Sequence, residues 1–118
     1  MKRIWMAGLA AAAMFVTTAG SASAEPTVKE YQAAEAGAKD VYKLYLNAEE
    51  EAFSWYNVAL DGKKLTPLYC PPRDVALSAD DTVALFDGFI AAHKNVDLTK
   101  YPIGLVLFTA LQDKYPCK

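Results

Sequence analysis

The chain has 118 residues, with 12 basic and 14 acidic side chains, one histidine and two cysteines, and a formal net charge of −2. Its length fits one domain near the small end of what folds unaided. The mild acidity and the lack of a basic cluster exclude the electrostatic footprint of a nucleic-acid binder and disfavour anionic membrane surfaces.

The first 24 residues read as a secretory signal peptide. Met1-Lys2-Arg3 is the positive start, Ile4 to Val16 is an apolar run, and Ala22-Ser23-Ala24 has the small-x-small form of a cleavage site. The run is shorter than the roughly 20 residues that a membrane span needs, so no stable membrane insertion is expected after cleavage. Cleavage after Ala24 leaves a single domain, residues 25–118, starting at Glu25. Without Lys2 and Arg3, ten basic residues face 14 acidic ones. The expected location is the periplasm.

An exported chain with two thiols is expected to pair them. The bond would join Cys70 to Cys117 and tie the C-terminus to the middle of the chain. It would also leave no thiol for catalysis.

Taken in order, the mature chain predicts an all-α bundle of three to four helices. From Val28 the pattern is helical for about thirty residues. Ala38, Val41, Tyr42, Tyr45, Ala52, Phe53, Tyr56, Ala59 and Leu60 form the expected inner stripe. Lys39, Lys43, Glu50 and Asn57 form the expected outer face. A weak point near Asn47 allows two helices to meet there. Asp61-Gly62 predicts a stop with Gly62 left-handed. Residues 63–75 carry Pro67, Pro71 and Pro72 and predict a loop, with Tyr69 as its inward anchor. Ser78 predicts a helix cap, followed by Asp80 and Asp81 in the first turn. Val83, Phe86, Phe89, Ile90 and His93 continue that helix, and Gly88 inside it predicts close approach of a neighbour. Pro102 opens a last helix, with Ile103, Val106, Leu107, Ala110 and Leu111 inward and Leu105 and Phe108 widening the apolar face. Pro116 ends it.

The side chains that carry chemistry are few. His93 is the sole histidine, and with both cysteines oxidised no zinc set remains. It is expected to serve the end of its helix. Ser78 reads as a cap and Ser54 has no base beside it in sequence, so no nucleophile–base pair is expected. Asp80 and Asp81 point about 100° apart on a helix, which unsuits them as an acid/base pair. Glu49 would lie on the apolar stripe of an unbroken helix, where Arg73 could pair with it. The preferred expectation is a break near Asn47 that turns Glu49 to water. Leu44 and Trp55 share a flank of the long helix. Core packing is the preferred role for them, and a partner-binding ridge, with Arg73 as a further contact, is the other. No cofactor, metal or catalytic residue is expected.

The order of Ser54-Trp55-Tyr56-Asn57, Leu68-Tyr69-Cys70-Pro71-Pro72, a capped helix with Leu85, Phe86 and Ile90, His93-Lys94, and Ala110-Leu111 with Tyr115-Pro116-Cys117 resembles the Rap/Tai family of type VI secretion amidase immunity proteins. The resemblance covers about residues 40–118. Its members are small, helical and periplasmic, with a Cys-x-Pro-like segment before the penultimate helix and a Phe/Tyr-Pro-Cys ending. Asn47 and Ala52 stand where members often have glycine, and the extra N-terminal cysteines of many members are missing here. Interface residues differ between members, so none is carried over. The resemblance implies a binding protein, not an enzyme, whose partner is a secreted peptidoglycan amidase blocked at its active site. A homodimer is compatible with this. The alternative is a small periplasmic stress or holdase-like protein without a dedicated toxin, which would expose apolar faces in acid.

Overall fold

The computed structural model describes residues 25–118; the expected signal peptide, residues 1–24, lies outside them. The described residues form four helices, α1 (Val28–Ala33), α2 (Ala36–Gly62), α3 (Ala79–Ala92) and α4 (Ile103–Lys114). Among them there is no strand, only an isolated bridge between Thr27 and Pro102. The bundle is therefore all-α, and a disulfide joins Cys70 to Cys117, with their Cα atoms 4.9 Å apart.

Thr27 and Glu30 close a reciprocal capping box at the start of α1. The segment is then sewn to the turn before α4. The amides of Val28 and Lys29 donate to the carbonyls of Tyr101 (3.0 Å) and Thr99 (2.9 Å), and that of Ile103 donates to Pro26 (2.9 Å). These bonds fix the direction of α1, whereas α2 must run along α3 and α4. The chain changes course between them at Ala34 and Glu35, both extended. The break expected near Asn47 is thus misplaced: α2 continues through Asn47 as one helix of 27 residues.

The inner side of α2 also differs from the expected one. Leu46 and Glu50 are buried, with Tyr42, Phe53, Asn57 and Leu60 half-buried beside them. Val41, Tyr45 and Tyr56, assigned to the stripe, are exposed. The helix is rotated so that part of its polar side meets the rest of the fold. Lys43 pairs there with Asp80 of α3, and Asn57 reaches the proline loop. Apolar residues occupy so much of the circumference that burial alone left the rotation open, and these polar contacts decide it.

The end of α2 is closed by a left-handed Lys64 (φ 58°), not by Gly62. The amide of Leu65 donates to Leu60 and that of Lys64 to Asp61 (both 2.9 Å). This pair of bonds satisfies the last carbonyls. In α3, Ser78 and Asp81 form a second capping box. Gly88 is exposed, and a Cβ there would meet nothing within 4 Å. The close neighbour expected at Gly88 is absent among the described residues.

Helix α4 is the centre of the fold, with Ile103, Gly104, Val106, Leu107, Ala110 and Leu111 buried. Pro102 caps it from just outside. Phe108 is half-buried, while Leu105 faces outward. Val28, Tyr31, Leu46, Tyr69 and Phe86 pack with these residues in the core, and Tyr31 meets Phe86 and Tyr42 edge-on. Each fully buried Leu, Ile or Phe contributes about 1.5–3 kcal/mol.

Closing a loop between residues 47 apart stabilises the fold by about 4 kcal/mol in the chain-entropy picture. Reduction, or Cys117→Ser, is therefore expected to lower the thermal midpoint by roughly 15–30 °C, since each kcal/mol is worth several degrees in a domain of this size. Circular dichroism with and without dithiothreitol checks this; an unchanged midpoint would contradict it.

Candidate functional site

The proline loop owes its shape to three anchors. The side-chain oxygen of Asn57, on α2, accepts from the Leu68 amide (2.7 Å), and its amide group donates to the Tyr69 carbonyl (2.9 Å). Gln112 of α4 donates to the Leu68 carbonyl (3.2 Å). The Cys70 amide donates to the Tyr115 carbonyl (2.7 Å), next to the disulfide. Between these anchors Tyr69 turns inward and is buried, as expected, yet its hydroxyl has no hydrogen-bond partner.

Tyr69 comes to lie with Glu50, which is 8% exposed. Burial pushes the Glu50 carboxyl above the usual range, and the neighbouring Glu51 adds to this. Burial raises the Tyr69 hydroxyl too, and the Glu50 charge raises it further. Both residues line a groove of about 450 Å³ whose mouth holds Glu51, Ser54, Trp55 and Pro71. The buried position of Glu50 was missed from sequence, where it reads as an outer residue. The signal that could have found it is Asn57, seven positions on and two turns along the same side.

Trp55 and Leu44 do not pack in the core: they are 71% and 69% exposed. They belong to an outward arc of α2 that also holds Val41, Ala48, Ala52 and Ala59, with Glu51 as the charged residue among them. Arg73 is exposed in the proline loop. It is not the partner of Glu49. Among the described residues the recorded ion pair is that between Lys43 and Asp80.

Glu49 is half-buried on the unbroken α2 and does not turn to water, contrary to expectation. It meets the Glu25 carboxyl over the start of α4, where Glu25 accepts from the Gly104 amide (2.7 Å). A Cβ at residue 104 would strike both carboxyl groups, so glycine makes the convergence possible. Glu49 is raised to about 8, first by burial, then by the bond and charge it shares with Glu25, while Tyr45 pulls it down. One oxygen of Glu49 is buried without a partner.

The remaining polar candidates take local roles. The His93 Nδ1 lies 2.8 Å from the Phe89 carbonyl, and its ring stacks on Phe89. Ser78 and Asp81 cap α3, and Asp80 holds Lys43. Ser54 is exposed at the groove mouth. A second groove, of about 600 Å³, runs between α3 and the end of α4 past Leu85, Gly88, Phe89 and Tyr115. Among the described residues no group of three His, Cys, Asp or Glu is placed to hold a metal ion, and no helix is long and apolar enough to cross a membrane. What the arrangement offers is recognition: an apolar ridge on α2 and, beside it, a recessed carboxylate.

Comparison with protein-family models, with curated proteins and with solved structures finds no match for this chain.

Asn57→Ala removes both bonds to the loop and leaves the Leu68 amide and Tyr69 carbonyl short of partners. It is expected to cost about 1–3 kcal/mol and to speed amide exchange first at residues 68–70. Hydrogen exchange read by mass spectrometry checks both.

The folded state holds a proton on Glu49 that the unfolded chain releases at the ordinary glutamate pKa of 4.5. Stability therefore falls as pH rises from that value through about 8. The thermal midpoint is expected to drop between about pH 5 and about pH 9, with a shallower drop in Glu49→Gln. An equal slope in the two proteins would contradict the assignment.

Proposed function

We propose that this chain is an exported periplasmic binding protein that neutralises a secreted peptidoglycan amidase by covering its active site, in the manner of the Rap/Tai immunity proteins it resembles. The observation that carries the binding role is the outward arc of α2. Trp55, Leu44 and Val41 stand in water on a helix whose other side is fixed by the core. Exposed tryptophan at the centre of an apolar face is the usual chemistry of a binding hot spot. The disulfide supports the same reading, because a braced scaffold loses little freedom when it docks. The amidase comes from the resemblance, carried by the two cysteine motifs around Cys70 and Cys117, which the disulfide joins.

The holdase alternative could use the same apolar arc, but it needs opening in acid. Glu49 and Glu50 favour the folded state in mild acid, because both bind protons more tightly when folded.

The test is a pull-down of the tagged protein from the periplasm of its own cells, followed by an amidase assay on purified sacculi. A peptidoglycan amidase recovered in stoichiometric amount and silenced by an equimolar addition is the expected result. Recovery of misfolded clients alone, or an amidase that turns over unchanged when saturated, would overturn the proposal.

A further inference from the structure

We propose that the groove between α2 and the proline loop is an anchor pocket for one cationic side chain, a guanidinium or an ammonium, of the partner protein, with Glu50 as its counter-charge and Trp55 as its wall. The inference rests on the reading of the chain as a binding protein and names what that protein grips.

Glu50 is a carboxylate 8% exposed, placed in the middle of the longest helix. Such a group is costly to bury unless something pairs with it. Among the described residues Glu50 makes no side-chain hydrogen bond and no ion pair. Lys43, one of the cations on the same helix, is engaged with Asp80. Arg73 makes no ion pair among the described residues. The second, independent observation is Tyr69: it is 2% exposed, lines the same groove, and has a hydroxyl without a partner. A buried hydroxyl without a partner and a largely buried carboxyl group without an ion pair, from two different elements, thus line one groove. A ligand that carries several N–H donors supplies what Glu50 lacks.

The walls fit the same chemistry. Glu51 stands at the rim and adds a second negative charge. Trp55 flanks the opening with its ring mostly in water, and a tryptophan face attracts a cation laid against it. Pro71 and Leu77 give apolar surface for the methylene stem of lysine or arginine. The space, about 450 Å³, takes a side chain and not a folded element. An anionic ligand is repelled by two carboxylates, and an aliphatic one leaves Glu50 unpaired. The pocket opens beside the apolar arc of α2, so one docking partner could cover the arc and insert a basic side chain at its edge.

The test uses three small probes on the purified protein: argininamide, lysinamide, and citrullinamide as the uncharged isostere of the first. Binding is followed by the Trp55 indole resonance and by backbone amide shifts. Saturable shifts at Trp55, Glu50 and Tyr69 are expected with argininamide or lysinamide, and the stronger of the two identifies the head group. Citrullinamide is expected to bind at least tenfold more weakly. Glu50→Gln, which keeps shape and removes charge, is expected to weaken the cationic probe at least tenfold. Trp55→Ala, an exposed change that leaves the core intact, is expected to weaken it severalfold. Equal binding of argininamide and citrullinamide would overturn the proposal, as would unaltered binding to Glu50→Gln or shifts confined to other parts of the surface. The amides probe the pocket without any amidase. A silent pocket in a protein that still captures its amidase refutes this inference alone, and a working pocket without any amidase partner refutes only the functional reading.

Discussion

The Cys70–Cys117 bond is the constraint on which the rest depends. Residues 63–77 contain three prolines and no regular helix, and they cross between α2 and α3 without a ladder of their own backbone bonds. Such a segment has little to hold it. The disulfide fixes one end of it to the C-terminus, and the Cys70 amide reinforces the joint by bonding to Tyr115. Because Tyr115 follows directly from α4, the loop inherits the rigidity of the most buried helix. Tyr69 can then be driven into the core, one residue before the anchor point. The same anchor brings Pro71 against α2 and so makes the wall of the groove over Glu50.

A small domain has a margin of about 5–15 kcal/mol. This one leaves a run of large apolar side chains outside its core on α2, which contributes nothing to folding of the isolated chain. It also keeps two glutamates, Glu49 and Glu50, away from full hydration. A covalent cross-link acting mainly on the unfolded ensemble is one way for so short a chain to remain folded with those groups placed as they are.

The parts of the fold legible in the sequence are those with a local cause. Ser78 with Asp81 announces a helix start because a hydroxyl and a carboxylate can satisfy amides three residues away. The prolines exclude helix from the central loop. The spacing of Ile103, Val106, Leu107, Ala110 and Leu111 marks a helix covered on a broad side, and these five are buried. The parts that were not legible have causes distant in sequence. The break at Ala34–Glu35 carries no glycine or proline; it arises because residues 26–29 bond to residues 99–103. The rotation of α2 depends on Asn57 reaching Leu68 and Tyr69, and on Lys43 reaching Asp80. Gly88 suggested a close helix crossing, and the structure instead leaves it open beside a groove.

The misreading of α2 bears on function. A periodic apolar stripe is normally assigned to the core because burial of such a stripe is the main source of helix stability in proteins. Here residues from that stripe and its flank face solvent, while Glu50 and Asn57 face inward. Asn57 explains its own position, since both ends of its amide are used by the loop. Glu50 lacks such an explanation within the chain. A helix that puts Trp55 outside and Glu50 inside has been arranged against the hydrophobic preference at both positions. Packing alone left the rotation open, and the contacts of Lys43 with Asp80 and of Asn57 with the loop decided it; the outcome sets an apolar ridge next to a recessed carboxyl group on one side of the helix.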